Sequence, residues 1–233
     1  MDTKEYIKGY FKERAVAFPD FYKKRPLLPI EAYIVSRVQP SDTVLDLCCG
    51  GGEVSLAIAQ KGTTVTGIDN VPDMCCLCQE LFTEKKQTGY FHVGDATRLP
   101  FNDSIFSCVV CTGNSLNSMS NQDAEKTILE AARVTKPDGI LYLTVLNPMS
   151  IRNLLAVARG ILQRAPAWGF YYRSSYGLQV DVKEAPRGMS FLIPPLRIKR
   201  YLRNAGLEYE SSRWDTGFTA SHLLLTCRKR HMT

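Results

Sequence analysis

The sequence has no run approaching the roughly 20 consecutive apolar residues that a membrane-spanning helix needs, and its first residues, MDTKEYIKGYFKER, alternate charges with aromatics. A secretory leader needs an apolar block there instead. Both absences argue against a spanning or exported chain and predict a cytoplasmic protein. Histidine is scarce, with only His92, His222 and His231, which leaves few imidazoles for metal binding or proton transfer. Repeats and low-complexity tracts are missing as well. With 45% hydrophobic residues in 233, the chain is long enough for one substantial core, not a fibre or a disordered tail.

Eight cysteines are present. Cys48, Cys49, Cys75, Cys76, Cys78, Cys108, Cys111 and Cys227 fall mostly inside apolar strand and helix patterns, so they read as reduced thiols packed as small apolar side chains. Cys75, Cys76 and Cys78 invite a metal reading, but on a helix Cys76 points away from the other two. No matching His or Cys pair follows at finger-like spacing, so no metal site is predicted. The net charge of +6 is concentrated: Pro148 to Arg203 holds ten basic residues against Asp181 and Glu184 alone. The rest of the chain is slightly acidic.

Residues 4 to 18 and a segment opened by Pro29, with Ile30, Tyr33, Ile34 and Val38 on one face, predict helices within an N-terminal unit, residues 1–40. Strands follow from β-branched and aromatic content at Thr43 to Leu47, Thr63 to Ile68, Tyr90 to Val93, Ser107 to Cys111 and Ile140 to Leu146. Between them lie helical stretches. Asn70 stands as an N-cap before Pro72, with Met74, Leu77, Cys78 and Leu81 on one side. Ser120 and Asp123 form a capping-box-like start, Ile128, Leu129 and Ala132 a buried stripe, and Lys136 to Gly139 a turn. Closing strands are expected at Glu208 to Trp214 and Leu223 to Arg228, after a helix from Pro195. This rhythm predicts an α/β fold: a doubly wound, mostly parallel seven-stranded sheet with helices on both faces, and a cap, residues 148–193, inserted after the fifth strand. Ligands of such sheets bind beyond the carboxyl ends of the strands.

The unusual residues sit at those ends. The first strand runs through Asp46 into Cys48, Cys49, Gly50, Gly51 and Gly52, a turn that brings backbone N–H groups close to a ligand. About 20 residues on, Asp69 ends the second strand at the spacing where a carboxylate meets ribose hydroxyls; it suits a diol and rejects a 2′-phosphate. Asp95 ends the third, where it would accept from an adenine amino group. Either aspartate alone could cap a helix. Their coincidence with the glycines on consecutive strand ends points to a nucleoside ligand.

VLDLCCGGGEVS, DNVPDM and GDATRLPFNDSIF, in that order, resemble the three cofactor motifs of the class I S-adenosylmethionine-dependent methyltransferases, and the resemblance covers nearly the whole chain. It implies S-adenosylmethionine as cofactor. Cys48, Cys49, Gly50 and Gly52 would surround its methionine part with Asp46 behind them. Asp69 would take the ribose hydroxyls, Asn70 and Met74 would flank the adenine, Asp95 with Ala96 would read its edge, and Thr112 would lie near the methyl. The family's usual first glycine is Cys48 here, and Ser107 stands where an Asp is common. A nicotinamide enzyme is the main rival and would more often keep that glycine.

An activated methyl needs alignment with a nucleophile more than it needs a base, so no catalytic residue is assigned; among the histidines only His222 is placed near the rim. Thr112 to Leu116 lacks the Asn/Asp-Pro-Pro-aromatic sequence of nucleobase-methylating relatives, which makes a nucleic-acid acceptor the weaker reading. Gly113-Asn114-Ser115 resembles the corresponding loop of small-amine methyltransferases and puts Asn114 at the acceptor or at a turn cap. Tyr171, Tyr172, Arg173 and Tyr176 form an aromatic and cationic cluster suited to closing a pocket over an acceptor or to building a small cap core. In Ser150 to Arg164, Ile151, Leu154, Leu155, Ala158, Ile161 and Leu162 share one side. That pattern fits peripheral contact with an anionic membrane, cover for a hydrophobic acceptor, or packing against the domain. The expected activity is methyl transfer to a small or lipid-like acceptor. RNA or protein methylation through a basic docking patch, and a non-catalytic cofactor-binding module, are the alternatives.

Overall fold

Thr43–Leu47 (β1), Thr64–Asp69 (β2), Tyr90–Val93 (β3), Phe106–Cys111 (β4) and Thr135–Leu146 (β5) form the parallel part of one sheet. Leu207–Trp214 (β8) and His222–Lys229 (β9) close it in antiparallel fashion, giving the order β3-β2-β1-β4-β5-β9-β8. In this computed structural model residues 3–147, 149–162, 169–173, 187–214 and 222–230 are described. Sheet neighbours run outward from β1 in one direction through β2 and in the other through β4, so the strand ends part at β1 and β4 and open a crevice there.

Burial explains the composition of these strands. Val44, Leu45 and Leu47 in β1, and Cys108, Val109, Val110 and Cys111 in β4, are buried, as expected of central strands covered on both faces. The edge strand β3 instead leaves Tyr90 and Val93 more than half exposed. Pro29–Arg37 (α3) and Glu53–Ala59 (α4) cover one face, where Ile34 and Ile58 meet Val44, Val65 and Val110. Asn121–Val134 (α6) and Pro195–Asn204 (α8) cover the other, where Ile128, Ala131 and Tyr201 meet Val109, Leu141 and Leu143. Pro72–Glu84 (α5) buries Met74, Leu77, Cys78 and Leu81 as its periodicity predicts.

Ser120 caps α6 by accepting the Asp123 N–H and donating to its carboxylate (3.1 and 2.8 Å). The run from Gly94 to Phe106 is laced to that helix: Glu130 accepts the Leu99 N–H at 2.7 Å, and Arg133 donates to the Phe101 carbonyl and to Asp103.

The structure departs from the sequence reading in five places. Asn70 does not cap α5; Val71 holds that position, and its N–H is taken by Asp69 Oδ1 at 2.9 Å. Leu129 is exposed, and Ala131 lies in the buried stripe of α6. Lys136 to Gly139 is no free turn but a bulge within β5: Phe106 pairs with Thr135 and Cys108 with Ile140, so β5 carries extra residues there. Asp138 absorbs the excursion at φ +62°. Pro19–Lys24 is a short helix (α2), signalled by Pro19 at its start. After Ile151–Leu162 (α7), Gly169–Arg173 (β6) and Arg187–Phe191 (β7) pair as a separate two-stranded sheet.

Candidate active site

The turn after β1 is built around its glycines. Gly52 adopts φ +86°, which favours glycine, and a Cβ at Gly51 would stand 2.4 Å from Tyr22 Cβ. Cys48, where the related pattern has glycine, also takes a left-handed φ of +60°, a conformation costing an L-residue roughly 1–2 kcal/mol. Beneath the turn, Cys78 donates to the Gly50 carbonyl at 3.0 Å and lies 3.8 Å from Cys49. Bonds with Cys75 and Cys78, then burial, push the Cys49 thiol up, keeping it neutral.

Asp69 fastens the turn from the side. Its Oδ2 accepts the Gly50 N–H at 3.0 Å and its Oδ1 the Val71 N–H. Burial raises its carboxyl and these backbone bonds oppose the rise. On the next strand end Asp95 Oδ1 accepts from the Thr97 N–H and hydroxyl, and Oδ2 pairs with Lys4 at 2.5 Å. Burial pushes the Asp95 carboxyl up, but the bonds from Lys4 and Thr97 outweigh it and the net shift is downward.

These residues line one cavity of about 240 Å³, with Cys48, Cys49, Gly50 and Gly51 on one wall and Asp69, Asn70, Met74, Asp95 and Ala96 on another. Thr112, Gly113, Asn114 and Ser118 form the wall beyond β4. Two sequence-predicted residues stand behind it. Asp46 is buried and accepts from Ser55 Oγ at 2.5 Å; burial first, against that bond, raises its carboxyl to about 7. Gly52 abuts Cys78 and leaves Gly51 at the cavity.

The sequence reading missed the roof. Lys4, Ile7 and Phe11 of Thr3–Ala17 (α1), together with Tyr22, Arg25 and Glu31, also line the cavity. Ile7 also packs on Met189 and Phe191 of β7, so α1 and the inserted sheet meet over the cavity. Arg25 grips Glu31 with two nitrogens at 2.8 and 3.0 Å and donates to Glu53 Oε1 at 2.7 Å. Its only sequence signal was a basic residue shortly before a helix with Glu31 in the first turn.

On the acceptor side, Asn114 Nδ2 donates to Ser190 Oγ of β7 at 2.6 Å, tying the β4 loop to the insertion. Asn114 Oδ1, Ser118 Oγ and Glu53 Oε2 are buried without a hydrogen-bond partner. Such groups are costly unless a ligand meets them. Tyr171 and Tyr172 pair by backbone with Met189 and Gly188, and Arg173 with Arg187; Tyr176 lies outside the described residues. His222 opens β9 opposite Leu146 and is not among the cavity's described lining. His92 stacks edge-on with Phe101, and His231 lies outside the described residues.

The charge balance of the cavity discriminates between ligands. Glu31, Glu53, Asp69, Asp95 and Asp123 are set against only Lys4 and Arg25 as basic side chains in its described lining. Glu53 also occupies the first turn of α4, where a dinucleotide's diphosphate would need to sit. A nucleoside bearing positive charge fits this lining; a diphosphate does not.

Residues 44–139 match the family described as a methyltransferase domain. An uncharacterized methyltransferase of Synechocystis sp. is 34% identical over 144 residues, 60% of this chain and 64% of that protein. The ubiquinone biosynthesis O-methyltransferase of Azoarcus sp. is 29% identical over 172 residues, 72% of this chain and 65% of its own length. The chain thus spans somewhat less than two-thirds of these curated relatives. The magnesium protoporphyrin IX methyltransferase of Synechocystis, solved with bound SAH, superposes with a TM-score of 0.71 at 16% identity, covering 98% of this chain and all of that one. With the motifs of β1 to β4 placed on one crevice of this fold, these likenesses support a class I S-adenosylmethionine-dependent methyltransferase.

Proposed function

We propose that the protein transfers the methyl group of S-adenosylmethionine to a small, lipid-like acceptor. The observation that carries this reading is the acidic, glycine-walled cavity at the parting of β1 and β4, with Asp69 at its side. When bound, S-adenosylmethionine supplies a methyl already activated on a sulfonium, so the chain has to bind, orient and exclude water.

Asp69 would accept from the ribose hydroxyls with the lone pairs left by Gly50 and Val71. Asn70 and Met74 would flank the adenine, with Asp95 and Ala96 at its edge. Cys48, Cys49 and Gly50 would surround the methionine part. Asp46 and Gly52 would support that turn from behind, and the unpartnered Glu53 Oε2 offers an acceptor to an ammonium group. Thr112 would stand beside the methyl. Asn114 Oδ1, buried and unpartnered, would receive a donor on the acceptor molecule while its amide holds Ser190. Tyr171, Tyr172, Arg173 and Tyr176 belong to the inserted segment 148–193, which would select the acceptor. The roof of Ile7, Phe11, Met189 and Phe191 would keep water out.

A lipid-like acceptor is supported by the apolar cluster of Ile7, Phe11, Met189 and Phe191 where α1 meets β7 and by the quinone-directed name of the Azoarcus relative. The test is incubation with methyl-labelled S-adenosylmethionine and a panel of phenols, quinols, amines and RNA. Label is expected in an organic-extractable product. Label confined to RNA or protein would overturn the acceptor class, and tight cofactor binding with no transfer to any acceptor would overturn the activity.

A further inference from the structure

Helix α7 points its apolar side outward. Its buried positions are Asn153, Val157 and Gly160, with Val157 resting on Leu146 and Leu192. Ile151 is 74% exposed, Leu155 55%, Ile161 70% and Leu162 85%; Leu154 and the preceding Met149 are exposed as well. The sequence pattern allowed this stripe to pack against the domain; among the described residues the helix instead rests on Leu146, Leu192 and β6 through its other side and leaves the stripe exposed. A contiguous row of large aliphatic side chains in water marks an interaction surface.

Cations are carried by the next described helix. Leu192, under Val157, is followed three residues later by Pro195, which opens α8. On α8 Leu196 is 82% exposed, and Lys199, Arg200 and Arg203 are exposed, with Arg200 reaching Glu125 at 3.8 Å. Neither helix contains an acidic residue.

We infer that α7 and α8 together form a docking surface for an anionic phospholipid bilayer. The aliphatic row of α7 enters the interfacial region and the α8 cations meet headgroup phosphates. Each such cation near an anionic leaflet is worth roughly fivefold in partitioning, and exposed aliphatic residues on one helix face supply the remainder. Nucleic acid would use the cations but has no partner for five aliphatic side chains. A second copy of this chain, meeting the surface through a twofold axis, would set like charges against each other. Ser190 of β7, two residues from Leu192, is bonded to Asn114 at the cavity, so the docked face adjoins the acceptor side. Docking goes beyond the proposed acceptor and is measured with none present, so either reading can fail alone.

The test is co-sedimentation of the full chain with vesicles of phosphatidylcholine alone, or with about 30% phosphatidylglycerol. Binding to the anionic vesicles should be at least about tenfold stronger than to the neutral ones. The double variant Ile151→Glu with Leu155→Glu, both surface positions, should lose about tenfold in partitioning while S-adenosylmethionine affinity is unchanged. Lys199→Glu with Arg203→Glu should weaken binding to the anionic vesicles only. Equal binding to both vesicle types, full binding by the Ile151→Glu/Leu155→Glu variant, or a short RNA held more tightly than the vesicles would overturn the proposal.

Discussion

The Gly50 amide donates to the Asp69 carboxylate across 3.0 Å, fastening the turn that leaves β1 to the end of β2. One side chain therefore shapes the glycine turn and presents acceptors to the cavity. Asp69→Ala is predicted to weaken S-adenosylmethionine binding about 100-fold, roughly 3 kcal/mol, since charge-assisted hydrogen bonds are lost on both counts. Asp69→Asn, which keeps one acceptor oxygen, should lose less. Isothermal titration checks the order; equal affinity in all three proteins would contradict it.

Arg25 holds the roof to the site. Glu31 is fully buried and its carboxylate is met by Arg25 and the Leu28 N–H. Arg25→Met leaves that charge and Glu53 uncompensated, at a cost of about 3–5 kcal/mol. The melting temperature should drop by about 10 °C. Adding Glu31→Gln should recover part of the loss, measured by calorimetry without cofactor.

Asp46 gives stability a pH dependence. Its folded carboxyl, at about 7, lies above the ordinary 3.8, so between these values the native chain holds a proton that the unfolded chain has released. The contribution is complete below about pH 4 and is lost as pH rises through 7. Asp46→Asn should remove a decline on the order of 3 kcal/mol between pH 4.5 and 7. Urea unfolding at both pH values, compared between wild type and variant, measures it; parallel pH profiles would refute a protonated Asp46.

Asn114 separates the acceptor from the cofactor. Asn114→Ala removes both the Ser190 bond and the unpartnered oxygen. The acceptor KM should rise about tenfold while cofactor affinity holds. If both change equally, Asn114 serves the cavity as a whole.

The strands of the parallel sheet and the turns at their ends were legible because they rest on local signals. β1 through β5 begin and end within two residues of their β-branched runs, apart from β5, whose start is carried back to Thr135 by the bulge. Gly50, Asp69 and Asp95 converge because parallel strands put their carboxyl ends on one rim. The roof was not legible. Lys4 meets Asp95 across 91 residues, and no periodicity encodes such a contact. The outward face of α7 was hidden for a related reason: an amphipathic stripe states which side is apolar, but whether protein or another phase covers it depends on what packs there. Cys48 lies between these cases, since its departure from glycine was visible and its left-handed backbone was not.

A crystal structure with S-adenosylhomocysteine bound tests the central claim most directly. The account predicts both ribose hydroxyls within hydrogen-bond distance of Asp69, the adenine between Met74 and the Asp95–Ala96 edge, and the homocysteine part against Cys48 to Gly51. An adenosyl group lodged away from these three strand ends, or the same crevice holding a dinucleotide diphosphate on the α4 N-terminus, would contradict it.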